Sequence, residues 1–207
     1  MSAEFRMKRF IATEFKKLVL IKPIKKITVN DIATHCQISR GTFYYHFKDK
    51  QDLVNWIYRT DVITPVRANL IESLNQGRSS DTESSNALVF HLLYQQKDFF
   101  CQAIKLTGQN SLSDTIMEEA LENIRLIKER HLQEIGSDHS TQNDFVTFVN
   151  EHIAMFNSTA VVQWLLDGMP RPPEVMARYT YLIGQHGIRA NVPPLGSSSE
   201  HRTQEKA

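Results

Sequence analysis

The sequence of 207 residues is long enough for one sizeable domain or two small ones, and its 41% hydrophobic and 23% charged residues are ordinary for a globular protein. It contains no apolar run of the roughly 18 residues that a membrane-spanning helix needs, and its N-terminus lacks an uninterrupted signal-peptide core. Cys36 and Cys101 are isolated, which argues against a disulfide framework. We therefore expect a cytoplasmic protein.

The net charge of +1 hides a basic N-terminal segment. Residues 1–50 contain eleven Lys or Arg and four Asp or Glu, a net charge of +7, so that residues 51–207 carry −6. A basic segment ahead of an acidic one favours a polyanionic partner for the basic part. A solvated basic face without a partner would have the same composition, so charge alone leaves both interpretations open.

Apolar residues recur at helical spacing along most of the chain, while strand patterns are nearly absent. This predicts an all-α fold of about nine helices. The first runs from about Phe5 to Val19 and stops before Pro23. Two short helices follow, capped by Thr28 and Ser39 and covering 29–36 and 40–47.

A fourth helix is expected to begin near Asp49 and to be kinked at Pro65. A polar linker is predicted at 77–85, and the later helices at about 86–96, 98–107, 113–135, 142–168 and 173–188. The stretch after Pro193 is rich in Pro, Gly and Ser and then charged, which is typical of disordered chain.

Residues 28–50 have the layout of a helix-turn-helix, with two short capped helices joined by a three-residue turn. The apolar side chains of both helices can face inward. This leaves polar and aromatic residues on or near the outer face of the second helix: Arg40, Gly41, Thr42, Tyr44, Tyr45 and His46. Forked donors suit base edges, while hydroxyls and cations suit phosphates. Together with the charge asymmetry, this pattern predicts that the segment binds double-stranded DNA.

The run S-R-G-T-F-Y-Y-H-F-K-D-K at 39–50, followed by Leu53, resembles the recognition helix and the next helix of TetR-family transcription regulators. The preceding P-I-K-K-I-T-V-N-D-I-A resembles that family's entry into the motif. The resemblance is specific over residues 8–57 and looser beyond. It implies a three-helix DNA-binding domain at 1–50, a helical effector-binding and dimerisation domain at 51–190, and a disordered tail at 191–207.

The resemblance also implies roles for individual residues. Arg40 corresponds to a base-reading position and Asn30 to one that sometimes reaches bases, while Gly41 lets the backbone approach the groove closely. Phosphate contacts correspond to Thr28, Thr42, Tyr44, His46 and Lys50. In the turn, where the family usually has glycine, this chain has Gln37, and a left-handed backbone there would cost ~1 kcal/mol.

For the body, the resemblance implies a ligand pocket and a homodimer formed by the last two long helices, at about 142–168 and 173–188. The first of these is apolar almost all round and needs cover on more than one side, although a thicker core within one chain would also provide it. The stretch Q-W-L-L-D-G-M-P-R-P-P-E-V-M-A resembles a DhaS-like subgroup of the family. The candidate pocket residues, which could equally be plain core, are Phe99, Phe100, Met117, Leu121, Phe148, His152 and Phe156.

We expect neither a cofactor nor a metal site. Eight histidines and Cys101 leave a metal sensor as an alternative, but no pair has tight ligand spacing. An enzyme is disfavoured because phosphate-loop, H-E-x-x-H and G-x-S-x-G motifs are absent. The sequence thus predicts a dimeric, ligand-responsive repressor of a near-palindromic operator. The alternative is a DNA-binding activator or co-regulator that acts through a partner protein, without a small-molecule effector.

Overall fold

The computed structural model of the chain describes residues 2–76, 82–135 and 140–186, with side-chain surroundings at 2–76, 86–129 and 147–183. All regular elements within these ranges are helical, which confirms the all-α prediction. The α-helices are α1 Ala3–Ile21, α2 Val29–His35, α3 Arg40–His46, α4 Lys50–Tyr58, α5 Thr64–Asn75, α6 Thr82–Gln95, α7 Lys97–Ala103, α8 Leu112–Ile135, α9 Ser140–Leu166 and α10 Pro173–His186. A 3₁₀ turn spans Ile24–Lys26, and a π-helical turn spans Arg59–Ile63.

The helices α1, α2 and α3 enclose the apolar core of the N-terminal head. Ser2 accepts a hydrogen bond from the Phe5 N–H and thereby caps α1, whose buried face includes Ile11 and Phe15. Ile32 of α2 and Phe43 of α3 are fully buried against this face. Because α2 and α3 have only seven residues each, they are too short to be stable alone. Their packing on α1 holds them in place.

The turn between α2 and α3 has the geometry of a Schellman motif. The Gln37 N–H donates to the Thr34 carbonyl at 3.1 Å, and the Ile38 N–H donates to the Ala33 carbonyl at 2.9 Å. Gln37 has a φ of 55°, in the left-handed region where glycine is preferred. The turn therefore has a left-handed residue although glycine is absent, at a cost of ~1 kcal/mol for a residue that bears a Cβ.

The predicted kink at Pro65 takes the form of a π-helical turn just before it. Within Arg59–Ile63 the helix widens, and the Thr64 N–H donates to the carbonyl of Arg59, five residues back. Proline has no N–H and its ring collides with the carbonyl four residues earlier. The wider turn relieves that collision and lets α4 continue into α5 without a loop.

In the body, α6 packs on α10 and α8 packs on α9. Trp164 of α9 is buried between them, with its ring 5.2 Å from that of Phe90 and its indole N–H donating to the Arg171 carbonyl. The apolar core continues from the head into the body, since Phe15 of α1 meets Phe99 of α7 edge-on at 5.9 Å. The predicted division at residue 50 therefore cuts a continuous core and stays a prediction.

Two predicted segments fall mainly outside the described residues. The tail at 191–207 lies beyond them, as does most of the linker at 77–85. Among the helices that the structure describes, none is both long and apolar enough to cross a membrane.

Candidate nucleic-acid interface

The N-terminus of α2 is closed by a reciprocal pair of contacts between Thr28 and Asp31. The Thr28 hydroxyl oxygen accepts from the Asp31 N–H at 3.1 Å, and an Asp31 carboxylate oxygen accepts from the Thr28 N–H at 2.8 Å. Lys22 donates to the same carboxylate oxygen at 2.8 Å. The hydrogen bonds from Lys22 and then from Thr28 lower the pKa of Asp31 to about 2. The carboxylate thus stays ionised at neutral pH, with Lys22 offsetting its charge.

Helix α3 presents an exposed outer face above a buried inner one. Ser39 caps the helix by accepting from the Thr42 N–H at 2.9 Å. Arg40, Tyr44 and Tyr45 are exposed, the two tyrosines to 49% and 79%. Large aromatic side chains this exposed on a basic head need a reason other than packing. Contact with a macromolecular partner supplies one.

The inner face of α3 fixes the orientation of the outer one. Phe43 is fully buried, and its ring lies 5.9 Å from that of Phe47, which in turn meets Trp56 of α4 edge-on. Phe47 also ends the helix, with its N–H bonded to the Phe43 carbonyl at 2.9 Å. These buried contacts fix the orientation of α3. Arg40 and Tyr44, one helical turn apart, therefore lie on the same side of the helix.

The other predicted DNA-binding residues of α2 and α3 differ in exposure. Asn30 and Gly41 are exposed, and Thr42 and His46 are half-buried. The Thr42 hydroxyl lies 2.9 Å from that of Ser39, and the His46 ring contacts Tyr45 at 4.9 Å. Thr28 is exposed, but its hydroxyl donates to Asp31 at 2.9 Å, so a phosphate would have to displace that bond.

Lys50, for which the family resemblance implies a phosphate contact, also has partners within the protein. Its ammonium donates to the carbonyls of Ile24 and Ile27, both at 2.7 Å, and burial lowers its pKa. The side chain thus ties the start of α4 to the 3₁₀ turn ahead of α2. Two of its three N–H donors are occupied within the protein, so its main contact is internal.

Three lysines that the sequence reasoning did not single out are exposed on the head. Lys25 and Lys26 lie in the 3₁₀ turn that leads to α2, and Lys48 lies in the turn that follows α3. They flank the two short helices in sequence, and exposed ammonium groups suit contacts with phosphate. The high local density of lysine in residues 22–26 and 48–50 could have indicated these residues. The helix-turn-helix pattern does not take that density into account.

The body contains a cavity of about 400 Å³ between α5, α6, α8, α9 and α10. Its walls are Tyr58, Ile63, Val66, Leu70, Asn86, Val89, Phe90, Ile116, Ala120, Asn123, Ile124, Ile127, Val149, Asn150, Ile153, Ala154, Asn157, Ser158, Val161, Thr180 and Tyr181. Its size is in the range of small-molecule sites.

None of the seven predicted pocket residues lines this cavity. Phe99 and Phe100 are buried in the core behind it, where Phe100 meets the wall residue Tyr58 edge-on at 6.3 Å. Met117 and Leu121 are half-buried on α8, one position away from the lining residues Ile116 and Ala120. On α9, Phe148, His152 and Phe156 point outward, and Phe148 and Phe156 are 57% and 40% exposed.

The outward faces of α9 and α10 carry further large apolar side chains. Met155 and Leu166 of α9 are 44% and 46% exposed, and Tyr179 and Ile183 of α10 are 51% and 43% exposed. With Phe148 and Phe156 they form the exposed apolar set of these two helices. In the part of the chain that the structure describes, no group of three His, Cys, Asp or Glu side chains could hold a metal ion.

A buried-core helix-turn-helix with an exposed basic and aromatic face, joined to a helical body with a cavity, defines a DNA-binding transcription regulator. A family model for bacterial regulatory proteins of the tetR family matches residues 19–57. A second model, for the C-terminal region of transcriptional regulators, matches residues 81–184, half of the chain. The chain belongs to the TetR family of transcriptional regulators.

Individual relatives agree with this assignment. Over 61 residues the chain is 33% identical to the HTH-type dhaKLM operon transcriptional activator DhaS of Lactococcus lactis subsp. lactis (strain IL1403). That match covers 30% of this chain and 33% of the relative, so the chain spans about a third of the curated relative's length.

Two solved structures share the fold. A dihydroxyacetone kinase operon activator DhaS has a TM-score of 0.58 at 17% identity, with 86% of this chain and 93% of that chain covered. Thermus thermophilus FadR, a TetR-family transcriptional repressor in complex with lauroyl-CoA, has a TM-score of 0.57 at 13% identity, with 96% and 100% covered.

Proposed function

We propose that the protein is a homodimeric repressor that binds a near-palindromic operator through α3 and releases it when a small molecule enters the body cavity. The observation that carries the DNA-binding part is the outer face of α3, where Arg40 and Tyr44 are exposed on a helix fixed by buried Phe43. A side chain with forked donors, held on a rigid base, suits direct reading of a guanine edge in the major groove.

A second copy of the chain is the proposed occupant of the exposed apolar set on α9 and α10. Six large apolar side chains on two neighbouring helices exceed the scattered exposure of an ordinary surface. A two-fold pair of heads would read two half-sites about 34–36 Å apart, or a multiple of that distance. The operator would therefore be close to a palindrome.

The proposed effector site is the body cavity, because two of its wall residues belong to the π turn region that also holds α1: Tyr58 precedes the turn and Ile63 is its last residue. On the other side of that turn, Asp61 accepts hydrogen bonds from Arg9 and Lys16 of α1. A ligand that favours one position of the turn would bias the position of the heads, provided that it binds the two positions with different affinity.

The DNA-binding proposal is tested with alanine at Arg40 and at Tyr44. A preferred duplex is selected with the wild-type protein from random-sequence DNA, and affinity is measured over a salt series. We expect Arg40→Ala to weaken binding about tenfold or more and to relax preference at one base pair. Loss of a phosphate contact by Tyr44→Ala should weaken binding evenly across sequences.

The control is Lys105→Ala, which removes an exposed cation between α7 and α8 in the body. It should leave duplex affinity within twofold. If the folded double variant at Arg40 and Tyr44 holds the selected duplex as tightly as the wild type, α3 is not the reading element and the proposal is wrong.

One observation favours activation as a second candidate function. The curated relative that shares 33% identity over 61 residues is described as a transcriptional activator. A reporter placed behind the selected operator separates the two functions, because repression requires that deleting the protein raises expression and activation requires that it lowers expression. A co-regulator acting through a partner protein would show neither change with purified components alone.

A further inference from the structure

The wall of the body cavity carries no charge in the part of the chain that the structure describes. None of its 21 lining residues is Asp, Glu, Lys, Arg or His, although these types are common elsewhere on α5, α8 and α10. The polar groups that do line it are amides and hydroxyls, contributed by Tyr58, Asn86, Asn123, Asn150, Asn157, Ser158, Thr180 and Tyr181. A cavity of this composition binds a charged ligand much less favourably than a neutral one, because a buried ion would have no counter-charge.

The two aliphatic hydroxyl donors on the wall, Ser158 and Thr180, are already used within the protein. Ser158 donates to the Ala154 carbonyl at 2.8 Å, and Thr180 donates to the Met176 carbonyl at 3.0 Å. Both hydroxyls donate to backbone carbonyls of their own helices. A ligand could therefore use only the lone pairs of their oxygen atoms, as hydrogen-bond acceptors. Recognition of a polar group thus falls to the asparagines and to the phenols of Tyr58 and Tyr181.

The asparagines lie on both sides of the cavity and keep unused hydrogen-bonding capacity. On α8, the Asn123 carbonyl oxygen accepts from the Arg67 guanidinium at 3.1 Å, which leaves its amide N–H₂ group as the remaining donor. On α9, the Asn157 carbonyl oxygen is buried without a hydrogen-bond partner. A ligand group that both donates and accepts would match this pair.

Charged residues close to the lining residues in sequence pair with one another. Arg67 pairs with Glu119 at 3.0 Å, and Arg59 pairs with Glu118 at 2.9 Å, all outside the lining. Tyr58, which does line the cavity, is fully buried, and burial raises its pKa, so that its phenol remains protonated. The wall is thus a low-dielectric surface, and an ion bound there would lose its hydration without finding an opposite charge.

We propose that the ligand of this cavity is an uncharged, largely apolar molecule bearing an amide or alcohol group that bonds to Asn123 and Asn157. The inference rests on the proposed function, in which the cavity is the effector site. It adds the chemical class of the ligand. A carboxylate or ammonium of the same length is excluded, because it would lose its hydration without gaining a counter-charge. The apolar part of the molecule fills the space between Ile116, Ile153 and Val161.

The experiment compares four ten-carbon probes that differ only in their polar end: decanamide, 1-decanol, decanoate and decylammonium. Binding to the full-length protein is measured by calorimetry at pH 8, below the micelle concentration of each probe. We expect the amide and the alcohol to bind at least about tenfold more tightly than either ion. Decanoate should bind better as the pH is lowered, because the neutral acid is then the species that fits.

A variant series places the binding in the cavity. Ala120→Phe fills space between α8 and α9 and should abolish binding of the amide. Asn157→Asp is nearly isosteric and introduces a charge, so it should weaken the amide and strengthen decylammonium, reversing their order. Asn150→Asp, on the same helix face seven residues earlier, serves if Asn157→Asp does not fold. Circular dichroism and thermal unfolding verify the fold of each variant.

Two results would overturn the inference. One is decanoate binding as tightly as decanamide at pH 8, and the other is no binding of either neutral probe up to its solubility limit. The effect on operator affinity is measured separately with the same probes. If a neutral probe binds in the cavity and duplex affinity is unchanged, the ligand class stands and the repressor-release function fails.

Discussion

At the scale of single residues, Gly41 is a glycine that the packing of the protein does not call for. It is exposed in the first turn of α3, and a Cβ built there would only touch the Ser39 hydroxyl at an ordinary 3.5 Å. Nothing within the described protein requires glycine at this position. Glycine destabilises a helix by about 0.5–1 kcal/mol relative to alanine, and the close approach of α3 to DNA that we propose would account for it here.

Gly41→Ala is therefore expected to change stability and DNA binding in opposite directions. The free energy of unfolding should stay the same or rise by up to about 1 kcal/mol, while affinity for the selected duplex should fall because a methyl group enters the contact. Denaturant unfolding and fluorescence anisotropy measure the two effects.

The same substitution in the body provides a matched control for Gly41→Ala. Gly108 has a φ of +125°, so Gly108→Ala strains the backbone. It should lower stability by about 1 kcal/mol or more and leave the duplex affinity of the folded protein unchanged. Undiminished duplex binding by Gly41→Ala would show that α3 does not lie against DNA at this point.

Residue patterns predicted the head much better than the pocket. The caps Thr28 and Ser39 and the left-handed Gln37 are local features, and a few neighbouring residues define each of them. The internal contacts of Lys50 could not be predicted, because its acceptors, the carbonyls of Ile24 and Ile27, lie more than twenty residues away in sequence. A backbone acceptor that distant leaves no trace in side-chain patterning.

At the scale of elements, the sequence predicted where the helices begin and end, but not which side of each helix faces the core or the cavity. Apolar periodicity placed α8 and α9 within a few residues, but α9 is apolar on several sides. Periodicity does not say which of those sides meets the core, the cavity or a second chain, and an error of one residue turns a helix by roughly 100°. The asparagines at 150 and 157, seven apart in an apolar helix, were the signal for the cavity side.

The π turn connects elements that are far apart in the chain, and Asp61 is its main polar contact with the head. Its carboxylate accepts from Arg9, and from Lys16 at 2.8 Å, while Lys16 also donates to Gln96 at 2.9 Å. The Asp61 side chain is only 10% exposed. Hydrogen bonds to ionised groups in such surroundings contribute about 1.5–3 kcal/mol each.

Asp61→Asn keeps the size of the side chain and removes its charge. We expect the free energy of unfolding to fall by about 1.5–3 kcal/mol and the amides of α1 to exchange faster, because α1 loses its anchor on the turn. Glu4→Gln is the control, since Glu4 forms an exposed pair with Lys8 that is worth about 0.5 kcal/mol or less. Equal effects of the two substitutions would show that Asp61 does not anchor α1.

At the scale of the whole molecule, the basic charge lies in the head and the exposed apolar set lies on α9 and α10. The two proposed partners, DNA and a second copy of the chain, would therefore bind at different places. Residues 1–50 carry +7 and the remainder −6, so the body repels the polyanion that the head attracts. This favours a single binding orientation, with the heads on the duplex and α9 and α10 turned away from it. Affinity should then fall by ~0.9 log unit per log unit of salt for each phosphate neutralised.

The proposed dimer is tested at the exposed apolar set of α9 and α10. Ile183→Glu with Tyr179→Glu should convert a dimer to a monomer at micromolar concentration, because four charges would be brought together without partners at the two-fold interface. Sedimentation equilibrium gives the mass directly. Duplex affinity should fall as well, since two linked heads bind more tightly than one.

Ile71→Glu is the control for the dimer test, as Ile71 is an equally exposed apolar residue on α5, at 48%. It should leave the mass unchanged. A wild-type protein that sediments as a monomer, or a double variant that remains dimeric, would remove α9 and α10 as the interface.

The π turn has one more consequence, which concerns the length of the chain rather than its composition. The widened turn accommodates one residue more than a regular helix would, between Tyr58 and Pro65. Deleting that residue would restore regular pairing and keep Val66 and Leu70 on the same side of α5, but the proline ring would then collide with the carbonyl four residues earlier. A shortened turn should therefore be tolerated only together with Pro65→Ala, because the extra residue is what keeps this side of α5 on the cavity wall despite the proline.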